Sequence, residues 1–336
     1  MTDLNYYQLS QEQQGQYFDR IRMPSSSRID ASTTTSQAPH DRLKSLNLLI
    51  SYHLRNIPFE SISLHYSWHR VINAEAKHVF DKMVTQGRGG YCMEQNTLFN
   101  TVLLNLGFEA YMAGARVYNS KPGKFGGFDH CVNIVTVGEQ RYLVDVGFGS
   151  NGPTAALPMD SGEAETEGFL GQVLMRLRYA PISQALNQKA RFWIYERRDQ
   201  LGHGDWEQMH CFTDTEFLPE DIQIANLKPS TTPTSFFVQK VVAMRFLSLD
   251  DGATEERGYL HLDTRDCETI LEGEITGILT LNGDIFKVRH NGKTIRTTTL
   301  KDEGERIEIL EKYFGIRLGE MDREAIKETA SETTWT

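Results

Sequence analysis

The hydrophobic periodicity of the chain changes at Gly107. Up to this residue apolar side chains recur every three to four positions, which predicts helices over most of residues 1–107. From 108 to 217 short runs are rich in β-branched and aromatic residues, which predicts strands. Residues 218–336 combine both patterns and close with a helix. The chain is therefore expected to be α+β, with a helical domain, a β domain and an α/β domain in that order.

Three segments interrupt this pattern. The polar stretch Ser25–His40 predicts a mobile connector. A short helix is predicted from Leu218, and because the residue before a proline disfavours helix, it is expected to end before Pro229. The last residues, Arg323–Thr336, are polar and are expected to form a loose tail.

Charge and cysteine content narrow the possible functions. The formal net charge of −10 argues against nucleic acid as a partner. No run approaches the roughly 18 apolar residues that span a bilayer, and the polar N-terminus does not resemble a secretory signal. Four cysteines without CxxC spacing favour free thiols and a cytoplasmic location. A monomer or a weak homo-oligomer is expected.

Cys92 opens an apolar helix behind a glycine-rich loop. The stretch Gly87–Gly107 reads GRGGYCMEQNTLFNTVLLNLG. On a helix, Cys92, Phe99 and Leu103 lie within about 20° of one another, so the cysteine points the same way as the buried stripe. The helix start favours a thiolate, and the glycines let a substrate approach. The alternative is an inert cysteine that only packs.

A histidine and an aspartate downstream can serve as the base and its orienting group. If Gly138 and Glu139 form a tight type II′ turn, His130 and Asp145 become diagonal neighbours on one face of a hairpin. A register slip of one residue would separate them. A carboxylate between valines is costly unless it is paired, for example with His130 Nδ1–H. Alternatively, Asp145 caps a turn through the glycines that follow it.

Other histidines lack such a setting. His65 and His69 have the i, i+4 spacing of metal ligands, but no third ligand follows, so no metal site is predicted. His203 and His210 lie in a polar stretch and are predicted to be surface residues.

Three motifs surround the cysteine, the histidine and the aspartate. They are RGGYCMEQN (Arg88–Asn96), HCVNIVTV (His130–Val137) and YLVDVGFG (Tyr142–Gly149). Together they resemble the arylamine N-acetyltransferase family. The resemblance implies a helical bundle at 1–107, a β-barrel at 108–217 and an α/β lid at 218–336.

The resemblance also implies a mechanism. Cys92, His130 and Asp145 would form a catalytic triad for ping-pong transfer. Cys92 would take an acetyl group from acetyl-CoA and pass it to an arylamine, arylhydroxylamine or hydrazine. The residue chemistry above agrees with these roles.

Further positions are implied for the co-substrate and the acceptor. Coenzyme A would contact Gly126 and Gly127, just before the histidine, and Thr234 and Ser235 at the start of the third domain. Phe148 corresponds to a position that lines the acceptor pocket. No tightly bound cofactor and no metal is expected.

Some features leave alternatives open. The longer connector and C-terminus are similar to those of filamentous-fungal members, some of which prefer malonyl-CoA, so N-malonyltransferase is the alternative function. A malonyl carboxylate would need a cation, and Arg116 and Lys124 are available. Ser61 stands where the family usually has asparagine, so it is given no role. A cysteine hydrolase, a transglutaminase-like enzyme and a non-enzymatic scaffold are less favoured.

Overall fold

The computed structural model describes residues 6–160, 164–168, 173–199, 204–248, 275–290 and 292–332. The helices are α1 (Gln11–Arg20), α2 (Ala31–Ser36), α3 (Pro39–Asn56), α4 (Ala76–Phe80), α5 (Cys92–Asn105), α6 (Pro219–Thr231), α7 (Phe236–Gln239), α8 (Glu303–Phe314) and α9 (Glu320–Ala325). The strands are β1 (Phe59–Glu60), β2 (Glu109–Asn119), β3 (Lys124–Phe125), β4 (His130–Val137), β5 (Gln140–Val144), β6 (Leu157–Pro158), β7 (Thr166–Gly168), β8 (Val173–Ala180), β9 (Phe192–Asp199), β10 (Glu207–Glu216), β11 (Val242–Leu247), β12 (Gly277–Asn282), β13 (Ile285–His290) and β14 (Lys293–Thr299). None of the described helices is long and apolar enough to cross a membrane.

The first part of the chain is a helical bundle around α3 and α5. Leu46 and Leu49 of α3 are fully buried, as are Phe99 and Leu103 of α5. The predicted apolar stripe of the cysteine helix therefore faces the core. Pro39 opens α3, where its missing N–H leaves no helical hydrogen bond unmade.

The second part is an antiparallel sheet that almost closes into a barrel. The strand order is β6-β5-β4-β2-β10-β9-β8-β7, with β3 added to β2, and β6 lies against β8. The turn between β4 and β5 has Gly138 at φ 65°, and Val137 pairs with Gln140. The predicted turn and register are confirmed, so the start of β4 lies beside the end of β5.

The third part is a sheet in the order β1-β11-β12-β13-β14, flanked by helices. Its edge strand β1 comes from the first part of the chain, with Phe59 opposite Met244 of β11. On its other side Glu60 N–H donates to the carbonyl of Gly90 at 3.0 Å. The architecture is the predicted bundle, barrel and α/β lid, whereas the boundaries at 107/108 and 217/218 stay a prediction.

The polar connector is more regular than its sequence indicates. Residues Ala31–Ser36 form α2, and Asp30 Oδ1 accepts the N–H of Thr33 at 2.7 Å as its N-cap. Arg42 Nε then donates to the carbonyl of Thr34 at 2.8 Å. Serine and threonine are weak helix formers, so the cap and this contact from α3 supply what the intrinsic propensity lacks.

Helix α6 does not end before Pro229, contrary to the prediction. It continues to Thr231. Pro229 lies in the last turn, where it removes one helical hydrogen bond. Ser230 Oγ donates to the carbonyl of Asn226 at 2.7 Å, and Thr231 Oγ1 donates to that of Leu227 at 2.7 Å. The N–H of Thr232 donates to the carbonyl of Lys228 at 3.2 Å, so helical hydrogen bonding resumes after the proline.

The C-terminal segment is docked on the protein through residue 332, so the prediction of a loose tail is wrong for these residues. Ser331 Oγ hydrogen-bonds to His65 Nδ1 at 2.6 Å, and its carbonyl accepts from Arg306 Nη2 at 2.9 Å. Arg306 also pairs with Glu303, and its Nε donates to Tyr66 at 3.0 Å. The tail therefore helps to complete a buried polar network in the lid.

Replacing Arg306 by alanine is expected to lower the free energy of unfolding by about 3 kcal/mol, because it leaves partners of a buried charge network unpaired. Urea denaturation followed by circular dichroism measures this change. Glu308→Ala, at an exposed position of the same helix, is the control and is expected to change stability by less than about 0.5 kcal/mol. Equal stabilities of the two variants would contradict the docking of the tail.

Candidate active site

Cys92 is the first residue of α5 and is 4% exposed. The loop before it depends on glycine. Gly87 has φ 70°, and a Cβ on Gly89 would lie 2.0 Å from the carbonyl oxygen of Pro58. The N–H groups of the first helical turn have no helical partner. The loop and the helix thus place the thiol at the positive end of the helix dipole.

Buried charges hold this loop in place. Lys82 Nζ lies 2.7 Å from Glu94 Oε1 and 3.9 Å from Glu60 Oε1, and Arg88 Nη2 lies 3.6 Å from the same oxygen of Glu60. Glu60 Oε1 also accepts the N–H of Gly89 at 3.2 Å. Burial raises the pKa of Glu60, but the two cations and backbone N–H groups outweigh it and lower that pKa overall. The carboxylate is therefore ionised at neutral pH.

His130 and Asp145 form a buried pair. His130 begins β4, Asp145 follows β5, and their side chains are 1% and 0% exposed. His130 Nε2 lies 2.8 Å from Asp145 Oδ2. The expected contact through Nδ1 is wrong, because the ring turns its Nε2 toward the carboxylate. This leaves Nδ1 as the nitrogen available to the Cys92 side chain, which lies close enough to help raise the pKa of His130.

The two charges shift each other's pKa. Burial lowers the pKa of His130, but Asp145 and Cys92 outweigh this effect and raise it to about 10. Burial raises the pKa of Asp145, but His130 and then His210 lower it well below its usual range. At neutral pH the pair is therefore an imidazolium and a carboxylate.

Asn96 and Gly147 bind the other oxygen of the carboxylate. Asn96 Nδ2 and the N–H of Gly147 both donate to Asp145 Oδ1 at 2.9 Å. A Cβ on Gly147 would lie 2.6 Å from Asn96 Nδ2 and 2.8 Å from the carbonyl oxygen of Cys92. Sequence reasoning gave Asn96 no role, although its i+4 spacing from Cys92 places both on one face of α5.

His210 is fully buried, so the prediction of a surface residue is wrong. Its Nε2 lies 3.2 Å from Asp145 Oδ2. Strand β10 pairs with β2, which pairs with β4, and this order brings a distant segment to the triad. The adjacent Cys211 and Phe212 are buried too, and this apolar run is the signal that could have indicated burial. His203 lies outside the described residues.

The cluster of His130, Asp145 and His210 also has the spacing of a metal site, since its ligand atoms lie within 4.8 Å of one another. Metal ligation needs a deprotonated imidazole nitrogen. Because Asp145 helps raise the pKa of His130 to about 10, this ring holds a proton at neutral pH. The arrangement therefore favours acid–base chemistry over metal binding.

Two of the residues expected at coenzyme A lie in the loop before His130. Gly126 is half-buried, and its N–H already donates to a carbonyl of β2 at 2.8 Å, whereas Gly127 is exposed with open space around it. In the same loop Asp129 forms an ion pair with Lys228 of α6. This pair joins the loop to the lid.

The other two residues lie between α6 and α7. Thr234 is exposed, and Ser235 is the N-cap of α7. Ser235 Oγ donates to the carbonyl of Pro229 at 2.6 Å and accepts the N–H of Phe237 at 3.3 Å. Its hydroxyl therefore already has local partners, and Thr234 is the freer polar side chain of the two.

Phe148 forms one wall of the site. Its ring centroid lies 5.0 Å from that of His130 and 4.9 Å from that of His210. Phe128, beside the loop glycines, stacks edge-to-face on Phe217 with centroids 5.2 Å apart. Aromatic surface therefore lies beside His130 and beside the loop that precedes it.

The two cations considered for a malonyl carboxylate do not face the triad. Arg116 pairs with Cys211, whereas the neighbouring Ala115 pairs with His130. Successive side chains of a strand alternate between faces, so Arg116 points to the opposite face of the sheet from His130. Lys124 lines a separate cavity of about 340 Å³ on the barrel, whose lining residues include none of the triad.

Comparisons with known proteins agree with this geometry. A sequence model of the N-acetyltransferase family matches residues 42–266. The N-malonyltransferase FDB2 of Fusarium pseudograminearum is 30% identical over 95% of this chain and 92% of its own length. The arylamine N-acetyltransferase from Salmonella typhimurium has a TM-score of 0.72 at 22% identity and is matched over 98% of its chain and 95% of this one. The Mycobacterium marinum arylamine N-acetyltransferase in complex with CoA has a TM-score of 0.70 at 23% identity, over 99% of its chain and 95% of this one. The chain therefore belongs to the N-acetyltransferase family, as its cysteine, histidine and aspartate motifs predict.

Proposed function

We propose that the chain is an acyl-CoA-dependent arylamine N-acyltransferase that works through an acyl-cysteine at Cys92. One observation carries the proposal: the His130 imidazole contacts the Asp145 carboxylate and lies within electrostatic reach of the Cys92 thiol, and the carboxylate keeps the imidazole protonated. Membership of the N-acetyltransferase family supports the reaction class. The relative in complex with CoA supports the donor class.

In the first half-reaction Cys92 acts as the nucleophile. Its thiolate attacks the carbonyl carbon of the CoA thioester and forms a new C–S bond. The bond from that carbon to the CoA sulfur breaks, and His130 gives its proton to the departing sulfur. Free CoA leaves with the acyl group bound to Cys92 and His130 neutral.

In the second half-reaction the neutral His130 acts as a general base. The amine nitrogen attacks the acyl carbon and loses a proton to His130. The bond between that carbon and Cys92 Sγ breaks, which restores the thiolate beside an imidazolium. Asp145 orients the ring and stabilises its charge in both half-reactions.

The proposal extends to the binding residues. Gly126, Gly127, Thr234 and Ser235 are proposed to contact coenzyme A, with the exposed Gly127 and Thr234 as its more accessible partners. Phe148 is proposed to line the acceptor pocket, because its ring lies against that of His130. We further propose a monomer or weak homo-oligomer in the cytoplasm, where free thiols such as those of the buried cysteines persist.

Malonyl-CoA is a second candidate donor. The relative FDB2, named an N-malonyltransferase, matches almost the whole chain. Neither Arg116 nor Lys124 faces the triad, so neither is proposed to bind the malonyl carboxylate. Lys228, paired with Asp129 next to His130, is a cation at this edge of the site.

A donor panel tests the function. Acetyl-, propionyl- and malonyl-CoA are incubated separately with the protein, and intact-mass spectrometry reads the acyl adduct on Cys92. Release of CoA is then measured with and without an aniline-type amine. We expect one adduct per chain and steady CoA release that requires the amine. Steady release without amine would indicate a hydrolase, and the absence of any adduct would contradict an acyltransferase.

A further inference from the structure

The carboxylate of Asp145 has a second histidine beside it. His130 Nε2 and His210 Nε2 approach the same oxygen, Oδ2, at 2.8 and 3.2 Å. The contact from His210 is close but poorly aligned, so it falls short of a full hydrogen bond. The ring centroids of the two histidines are 5.1 Å apart. Two imidazole nitrogens thus approach one carboxylate oxygen inside the barrel.

The proton on His210 can be assigned from its surroundings. A bare nitrogen facing a carboxylate oxygen would be repelled, so Nε2 carries the hydrogen. Burial lowers the pKa of His210 more than Asp145 raises it, so the ring is neutral at neutral pH. Its Nδ1 has no hydrogen-bond partner among the described residues. His210 is therefore a neutral N–H donor with one open nitrogen.

Apart from Asp145, none of the described groups around His210 explains why an imidazole is buried at this position. Phe148 and Tyr195 lie 4.9 and 5.1 Å from it, and Phe212 lies 6.1 Å away, all between centroids. The Tyr195 hydroxyl donates to a backbone carbonyl at 3.0 Å instead, and burial raises its pKa. The titratable groups that face His210 are therefore Asp145, His130 and a neutral Tyr195. A phenylalanine would pack here without desolvating two nitrogens.

We propose that His210 is a positioning residue that acts on His130 through Asp145. Its N–H partly offsets the negative charge on Asp145 Oδ2 and holds the carboxylate between the rings of His130 and His210. Without this donor Asp145 would hold the proton of His130 more tightly. His130 would then give that proton less readily to the departing CoA sulfur. This kinetic consequence rests on the proposed function, whereas the effect on His130 does not.

The test measures the proton affinity of His130 without any acyl donor. Iodoacetamide alkylates Cys92, and its rate changes at high pH where His130 loses its proton. His210→Phe is expected to move this upper midpoint upward by about 0.5–1 pH unit, because the close approach of an N–H to a charged oxygen is lost. With acyl-CoA and an amine, kcat is expected to fall about tenfold with KM for the donor nearly unchanged.

A matched pair of amides separates the N–H from packing. A glutamine amide reaches the position of Nε2, whereas an asparagine amide reaches only that of Nδ1. His210→Gln is expected to keep the wild-type midpoint, and His210→Asn is expected to shift it as the phenylalanine variant does. The two amides keep the test valid if the phenylalanine variant does not fold. His290→Phe, at another buried histidine away from the triad, is the control.

Three results would overturn the proposal: unchanged midpoints in all His210 variants, a downward shift, or an equal shift with glutamine and asparagine. A lower melting temperature with a wild-type midpoint would show a purely structural role and would also reject it. If the alkylation profiles behave as expected but no acyl adduct forms on the wild type, the proposed function fails and the role of His210 stands.

Discussion

Replacing Cys92 by serine is expected to reduce acyl transfer by about 10⁴-fold or more. Serine keeps the size of the side chain and its place at the start of α5. Its hydroxyl, however, is far less acidic than a thiol, so no anion forms at position 92 to act as the nucleophile. Without the anion the thioester meets no effective nucleophile. CoA release in the presence of an arylamine measures the loss, and intact-mass spectrometry checks that no acyl adduct forms.

Cys211→Ser is the matched control for this substitution. Cys211 is also buried, but its side chain points away from His130 on the other face of the sheet. We expect this variant to keep its adduct and to retain activity within about threefold of wild type. Near-normal turnover by Cys92→Ser, or an adduct on it, would exclude Cys92 as the nucleophile.

Replacing Asp145 by asparagine is expected to reduce kcat about 10³–10⁴-fold. The carboxylate helps raise the pKa of His130 to about 10. Without it burial dominates, and the pKa of His130 falls below its ordinary value. The ring is then neutral at pH 7 and can no longer stabilise a thiolate. The rate of alkylation of Cys92 by iodoacetamide is expected to fall at pH 7 and to lose its plateau between neutral and high pH.

The Asp145→Asn variant is also expected to change how the melting temperature depends on pH. The raised pKa of His130 stabilises the folded state fully below about pH 6.5, and this contribution is lost as pH rises toward 10. The lowered pKa of Asp145 stabilises it above about pH 4, and this contribution is lost as pH falls. The difference in melting temperature between wild type and Asp145→Asn should therefore be largest between about pH 4 and 6.5.

The exposed Glu139, in the turn that joins β4 to β5, provides the control for the aspartate. Glu139→Gln removes a carboxylate from the same hairpin without touching the triad. It is expected to leave both the alkylation profile and the pH dependence of melting unchanged. A wild-type alkylation profile in Asp145→Asn would show that the carboxylate does not set the protonation of His130.

The His130–Asp145 pair could be predicted because it depends on local geometry. Two residues, Gly138 and Glu139, set the register of one hairpin, and the register sets which side chains share a face. His210 could not be found in this way, because its place depends on β10 pairing with β2 across the barrel. Such non-local pairing leaves little trace in the sequence beyond the apolar neighbours of the histidine.

The misjudged helices have a different cause. At Asp30 a side-chain cap, together with contacts from α3, stabilises a helix that Ser and Thr disfavour. After Pro229 the hydroxyls of Ser230 and Thr231 bond back to carbonyls of the preceding turn. Both effects depend on single hydrogen bonds that propensity averages do not represent. The docked tail likewise depends on Arg306 and His65, which come from separate segments of the chain.

The two-residue strand β1 has a consequence for how the molecule opens. Phe59 and Glu60 contact the loop before Cys92 at Gly90 and the lid sheet at Met244. If the lid opened on heating, the loop that precedes Cys92 would therefore lose its support from β1 on one side. Bundle and lid should protect these backbone amides from hydrogen exchange as one cooperative unit. A fragment that ends with the barrel would contain Cys92, His130 and Asp145 and would still lack part of the support that holds Cys92 in place.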